Sequence, residues 1–147
     1  GVSLRFPSAY RVAKVDSNFI WIRRDIKSGS VNLFISRHRN KTNKSIIEIR
    51  DSISKQHIPG PTENSFMLTD LMYKPNTQEI YIGNKQVYET RGLWEVTGQF
   101  MAGPFLNYLI EIDRGEIIVL DGFVYSPGTN KRDYIFELEA IIRSLKF

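Results

Sequence analysis

The start of the last predicted helix carries an unusual pair of cations. Lys131 and Arg132 directly follow Asn130, a residue type that commonly caps a helix N-terminus. Cations are unfavourable there, because the helix dipole is positive and the first backbone N–H groups lack partners. Those N–H groups and the two cations together could bind an anion. Alternatively, the two cations form ion pairs with strand carboxylates, for which the candidates are Glu89, Glu95 and Asp121.

A second unusual segment interrupts a strongly apolar stretch with glycines and a proline. Residues 91–95 read Arg-Gly-Leu-Trp-Glu, and residues 98–105 read Gly-Gln-Phe-Met-Ala-Gly-Pro-Phe. Such a segment could line a pocket or contact a partner. Alternatively, it is a broad connection whose aromatic rings fill the core. If the last helix packs on the strand around residue 91, a ligand site could form from Arg91, Trp94, Lys131 and Arg132. The candidate partner-binding residues are Phe100, Met101 and Phe105.

Most catalytic templates are absent from the sequence. Neither histidine, His38 or His57, has a carboxylate or second histidine at metal-ligand spacing, so we expect no metal site. The chain has no cysteine, which excludes a thiolate zinc site, an iron–sulfur cluster and a cysteine nucleophile. No phosphate-binding or dinucleotide fingerprint occurs, so no cofactor is expected. A carboxylate pair assembled across strands stays open, although no local pattern selects its members.

Charge is distributed unevenly along the chain. The formal net charge is +4, with 12 basic and 4 acidic residues in 1–60 against 8 and 12 in 61–147. A basic face could steer an anionic partner; alternatively, the two halves attract each other within one fold. The basic loop at residues 37–44 lacks the interleaved aromatic residues typical of nucleic-acid binders, so we expect no nucleic-acid partner. The spacing of Glu89, Arg91 and Glu95 predicts an exposed row of ion pairs on one strand face.

These residues must be positioned by a single α+β domain over residues 1–147. A chain of 147 residues with 41% hydrophobic residues can bury one core without disulfides. Runs rich in β-branched and aromatic residues, separated by turn residues, predict a mostly antiparallel sheet of about six to eight strands. The runs cover residues 10–15, 19–26, 31–37, 66–72, 87–97, 105–113 and 116–126, with a hairpin at Gly83-Asn84 and another at residues 113–115.

Two helices are predicted, at about 44–58 and 131–146. Ile46, Ile49 and Ile53 form one apolar stripe in the first helix, which ends before Pro59 because proline cannot continue a helix. The stripe of the second helix consists of Tyr134, Leu138, Ile141, Ile142 and Leu145. Thr-Asn-Lys precedes both helices, which suggests a strand–strand–helix duplication with halves at about 1–60 and 61–147. Coincidence is the alternative, since threonine and asparagine are good caps.

Several of these segments carry a resemblance to a known family. They are residues 18–23, 50–51, 58–61, 91–95, 100–105, 122–127 and 131–141, which include Arg-Gly-Leu-Trp-Glu, Gly-Pro-Phe and Lys-Arg. Through them nearly the whole chain resembles a Bacteroidetes family of predicted envelope lipoproteins that is catalogued as a domain of unknown function. Members of that family are longer and begin with a lipoprotein signal peptide and an acylated cysteine. The chain therefore resembles their carboxy-terminal part.

The resemblance implies a location rather than a reaction. It implies a lipid-anchored protein of the cell envelope whose domain faces the periplasm or the exterior, with membrane contact only through an anchor outside this chain. The family supplies no catalytic residues and no cofactor. We therefore expect a non-catalytic envelope domain that binds an envelope protein partner or an anionic ligand. The alternative is a hydrolase-like enzyme that acts on cell-wall or glycan material with a carboxylate pair.

Overall fold

A computed structural model describes residues 3–39, 43–112 and 115–147. The element order is β1 (Arg11–Asp16), β2 (Phe19–Ile26), β3 (Gly29–His38), α1 (Ile46–His57), β4 (Met67–Thr69), β5 (Asn76–Ile82), β6 (Lys85–Val96), β7 (Ala102–Ile112), β8 (Glu116–Tyr125) and α2 (Arg132–Arg143). The strands form one antiparallel sheet in the order β1-β2-β3-β8-β7-β6-β4, and β5 also pairs with β6. The predicted α+β fold, with eight strands and two helices, is confirmed.

Short hairpins connect most neighbouring strands, as the turn residues predict. Gly83 has φ +61° in the β5–β6 turn, and Gly115 has φ +75° before β8, a left-handed conformation that favours glycine. Asp113 and Arg114, the rest of the second predicted turn, lie outside the described residues. The strand predicted at 66–72 is shorter than expected, because only residues 67–69 pair with β6.

The two helices cover opposite faces of the sheet. Helix α2 buries Leu138, Ile141 and Ile142 on one face, here called the α2 face, where it contacts inward residues of β3, β7 and β8. Helix α1 buries Ile49 and Ile53 on the other, the α1 face, against a second cluster that includes Phe34, Trp94, Phe105 and Phe123. Both predicted helical stripes are confirmed, and the sheet is covered on both sides along its central strands.

The helix ends agree with the predicted boundaries to within about three residues. Ser45 caps α1 in a reciprocal capping box with Glu48, which satisfies two backbone N–H groups of the first turn. The cap of α2 is Lys131 rather than Asn130, although the Asn130 side chain accepts a hydrogen bond of 3.0 Å from the Arg132 N–H. Among the described residues, neither helix is long and apolar enough to cross a membrane.

The topology lacks the two-fold relation that a strand–strand–helix duplication of the two halves would produce. Strands β3 and β8 are antiparallel neighbours, so a two-fold rotation between them would place both helices on one face. The helices lie on opposite faces instead.

The uneven charge has a structural counterpart, since among the described residues three ion pairs join a cation of the first half to an acid of the second. They are Arg24–Glu137 at 3.1 Å, Arg37–Glu116 at 2.5 Å and Arg50–Asp121 at 2.7 Å.

Candidate functional site

A cleft of about 310 Å³ opens on the α1 face of the sheet. Its floor is formed by side chains of β2, β3, β6 and β8 that share this face. Its wall is the segment 58–61, which directly follows α1, together with Met67 of β4 and Met101 of the β6–β7 turn. The Pro-Gly-Pro sequence that ends the helix therefore also closes one side of the cleft.

Trp94 extends across the sheet from β6 to β8. Its indole Nε1–H donates a hydrogen bond of 3.1 Å to the backbone carbonyl oxygen of Val124. The indole can do so because position 103 on the intervening strand is glycine. A Cβ at Gly103 would lie 2.1 Å from the Val124 oxygen and 2.9 Å from the Trp94 nitrogen. The glycine of this apolar segment therefore makes room for the tryptophan.

Four aromatic rings line the cleft. The Phe123 ring lies 6.1 Å from Trp94 and 6.4 Å from Trp21, and Trp94 lies 6.1 Å from Tyr125, between ring centroids. Trp21 and Tyr125 are only partly buried, so parts of their rings face the cleft. The chain contains two tryptophans, and both belong to this lining. Fluorescence of either indole therefore reports on the cleft.

The β2–β3 side of the cleft is polar. Arg23 lies opposite Asn32 in the register, and the Asn32 side chain accepts a 3.0 Å hydrogen bond from Trp21 and donates one of 3.0 Å to Ser30. The Arg23 Nε–H donates to Asp25 at 2.9 Å. Hydrogen bonds from Arg11 and Arg23 hold the pKa of the exposed Asp25 carboxyl below its ordinary value. Arg23 is the charged side chain among the described lining residues, and no carboxylate lines the cleft there.

A buried arginine fixes the wall of the cleft to the sheet. Arg50 of α1 is 0% exposed, and its guanidinium donates to Asp121 at 2.7 and 3.3 Å and to Thr69 at 3.0 Å. Its Nη2 lies 3.8 Å from the sulfur of Met67, which lines the cleft. Burial raises the pKa of Asp121, and the charge of Arg50 opposes that shift. One guanidinium thus connects α1, β4 and β8 directly behind the wall.

The structure does not bring the four predicted ligand residues together. Arg91 and Trp94 are three positions apart on one strand, so they point to opposite faces. Arg91 lies on the α2 face and pairs with Glu89 at 3.1 Å and Glu139 at 3.3 Å. Glu139 follows Arg132 by seven helical positions, about 10 Å along the helix axis. Of the four, only Trp94 lines the cleft.

The cations at the start of α2 do not form the expected ion pairs either. The Lys131 ammonium donates to the Thr129 carbonyl at 2.9 Å, and the Arg132 guanidinium lies 5.4 Å from the Phe136 ring centroid. Among the described residues, neither has a carboxylate within ion-pair distance. Anion binding by this helix terminus stays a prediction.

The predicted exposed row of ion pairs is wrong at Glu89, because this side chain is buried. Its side chain is 2% exposed and accepts hydrogen bonds from Tyr108 at 2.5 Å, Gln78 at 3.0 Å and Arg91 at 3.1 Å. Burial alone would raise the pKa of Glu89, but these hydrogen bonds outweigh it and hold the pKa below its ordinary value. Glu89 and Arg91 thus belong to a network with Glu139 of α2, whereas Glu95 lies exposed further along the strand.

The three predicted partner-binding residues have different environments. Phe100 is fully exposed on the β6–β7 turn, while the neighbouring Met101 is half-buried and lines the cleft. Phe105 is 1% exposed, under the Arg50 guanidinium and against Gly92, where a Cβ would lie 2.8 Å from its ring. Phe105 is therefore a core residue of this fold, and its ring is covered by protein atoms.

The two histidines meet in a smaller cleft of about 170 Å³ that also includes Asp16. His57 stacks on Phe19 at 3.9 Å, and burial followed by the nearby charge of Lys14 lowers its pKa. Burial also lowers the pKa of His38. Among the described residues, no three histidine, aspartate or glutamate side chains are arranged to hold a metal ion. In the basic loop, Arg37 pairs with Glu116, whereas residues 40 and 41 lie outside the described residues.

Comparisons with known proteins describe the chain's relatives. The family model described as "Domain of unknown function (DUF4837)" matches residues 1–144. A solved protein from Bacteroides thetaiotaomicron VPI-5482 has a TM-score of 0.53 and 15% identity, over 99% of this chain and 44% of that one. This chain thus spans less than half of that protein, and the likeness shows the fold alone. A STAR-related lipid transfer protein from Xanthomonas axonopodis has 10% identity and a TM-score of 0.44 over 93% of each chain. No curated protein sequence matches significantly.

Proposed function

Because this chain belongs to DUF4837, a family of unknown function, we propose its function from the cleft. The chain is a non-catalytic domain of a cell-envelope lipoprotein, and it binds a small, mainly apolar ligand between the sheet and the wall that follows α1. The envelope location, the lipid anchor, the Bacteroidetes origin and the position as a carboxy-terminal part rest on the sequence resemblance. Labelling of the full-length protein with a fatty acid, and proteolysis of intact cells, test the anchor and its orientation.

One observation carries the binding proposal, namely the aromatic lining of the cleft. Its volume of about 310 Å³ is at the lower end of the range for small-molecule sites, about 300–1,000 Å³. Such sites are mostly apolar with a few placed polar groups, and here four aromatic rings accompany Arg23, Ser30 and Asn32. A rigid aromatic surface offers a large contact area with little conformational entropy to lose.

The lining also supports a non-catalytic role over the hydrolase alternative. Glycosidases of the common type need two carboxyl groups about 5–10 Å apart, one as acid and one as base or nucleophile. No aspartate or glutamate is among the described residues that line the cleft. The buried carboxylate behind the wall, Asp121, is already paired with Arg50.

Binding is tested with N-phenyl-1-naphthylamine, an uncharged aromatic probe that becomes fluorescent in apolar surroundings. We expect saturable probe emission when tryptophan is excited, because both tryptophans line the cleft and can transfer energy to a bound probe. Met101→Glu places a charge in the lining and weakens probe binding about tenfold or more. Phe100→Glu is the matched control, since Phe100 is exposed next to Met101 and is not part of the lining. Absence of energy transfer, or equal weakening by both variants, contradicts the proposal.

Binding of an envelope protein partner is the second candidate, favoured by the exposure of Phe100. Its ring lies on a turn held by backbone hydrogen bonds, and phenylalanine is among the residue types enriched at protein interfaces. A photocrosslinking amino acid at position 100 in the full-length protein in its own cells should give one discrete adduct. The same amino acid at position 97, an exposed threonine of the same turn, should not. Equal labelling from both positions would contradict a specific contact.

A further inference from the structure

We infer that the ligand of the cleft carries an anionic group, and that Arg23 binds this group at the β2–β3 side. The ligand class is a small organic anion, such as a carboxylate or sulfonate, with an apolar ring as its body. This inference rests on the proposed function, because it assigns the chemistry of a ligand bound in the same cleft.

The cleft is polar on its β2–β3 side and apolar on its β6 side. Arg23 and Asn32 are directly opposite each other on β2 and β3, and Ser30 is two positions from Asn32 on the same face. The opposite side consists of the apolar side chains Ile58, Met67, Trp94, Val96 and Met101. A ligand that fills the cleft therefore has one polar end over β2–β3 and an apolar body against β6 and the wall.

The polar side presents hydrogen-bond donors that the protein leaves unused. Arg23 uses Nε for Asp25, and no acceptor among the described residues takes the hydrogens of its two terminal nitrogens. The Ser30 hydroxyl accepts from Asn32, and its own hydrogen has no described acceptor either. A carboxylate or sulfonate offers several acceptor oxygens, which the planar guanidinium binds in parallel.

The net charge beside the cleft also favours an anion. Arg11 and Arg23 both pair with the single carboxylate of Asp25, so this group of three carries one net positive charge. No carboxylate among the described lining residues opposes it. Arg23 is 38% exposed in its side chain, so solvent screens part of the attraction.

The test compares two probes that share one apolar body. 1-Anilinonaphthalene-8-sulfonate differs from N-phenyl-1-naphthylamine by a sulfonate group. We expect Arg23→Gln to weaken binding of the sulfonate about five- to tenfold at low salt and to change binding of the neutral probe less than about twofold. Arg11→Gln is the matched control, because Arg11 pairs with the same Asp25 but does not line the cleft.

Each outcome separates this inference from the proposed function. Selective loss of sulfonate binding in Arg23→Gln supports both. If the neutral probe binds in the cleft and Arg23→Gln leaves the sulfonate unaffected, the anionic class is wrong while ligand binding stands. If Arg11→Gln weakens sulfonate binding as much as Arg23→Gln does, the anionic ligand class is also wrong, because the effect would then come from overall charge. If neither probe binds, the proposed function itself fails.

Discussion

Removing the charge of Asp121 tests the role of the buried ion pair behind the cleft. In Asp121→Asn the Arg50 guanidinium stays 0% exposed and loses its paired anion. Breaking a buried pair from one side costs about 3–5 kcal/mol, because the remaining charge is desolvated and uncompensated. Asp51 stays 3.5 Å from Nη1 and is partly exposed, so it offsets part of the loss. We therefore expect a loss of about 3 kcal/mol in the free energy of unfolding.

The assay is equilibrium unfolding in urea, followed by tryptophan fluorescence. With an m-value of about 2 kcal/mol per molar, a loss of about 3 kcal/mol lowers the midpoint by about 1.5 M. Glu116→Gln is the matched control, since it removes a carboxylate from Arg37, which is 53% exposed. Exposed pairs contribute less than about 1 kcal/mol, so the control midpoint should fall by under about 0.5 M.

A double variant keeps the test decisive if Asp121→Asn does not fold. Replacing both partners in Arg50→Met with Asp121→Leu removes the charges together, and apolar replacements of buried pairs are often tolerated. We expect the double variant to be more stable than Asp121→Asn by at least about 1 kcal/mol. The reasoning is refuted if Asp121→Asn shifts the midpoint no more than Glu116→Gln, or if the double variant is the less stable of the two.

Two further predictions concern the glycine beside Trp94 and the stacked histidine. Gly103→Ala should lower the free energy of unfolding by about 1–3 kcal/mol and shift tryptophan emission, because its Cβ would lie 2.1 Å from the Val124 oxygen. Ala102→Gly on the exposed neighbour is the control, and equal effects of the two variants would contradict this account. His57 has a pKa below 6.5 in the folded protein, so below about pH 6.5 the unfolded chain binds its proton more readily than the fold does. Stability should therefore fall as pH falls below about 6.5, and His57→Gln should reduce that slope in urea titrations at several pH values; an unchanged slope would argue against it.

The site was only partly predictable from the sequence. The glycine-interrupted segment indicates Trp94 and Met101, and both line the cleft. The sequence does not indicate Trp21 and Arg23 as site residues, because they lie on a strand about 70 positions before Trp94. Their shared strand parity was visible, but parity does not show which distant strand lies beside them. Strand geometry alone argues against placing Arg91 and Trp94 in one site, since residues three apart on a strand face opposite sides.

Local sequence patterns are enough to locate the helices and most strands of this protein. Apolar stripes at helical spacing placed α1 and α2, and turn residues between β-branched runs placed the strands, because these signals are local and follow the geometry of one element. Three features emerge only in the folded chain: the face that each helix covers, the burial of Glu89 and Phe105, and the joining of β2, β3, β6 and β8 into one cleft. Those features depend on strand order and register between residues far apart in the chain, and local sequence patterns carry no information on either.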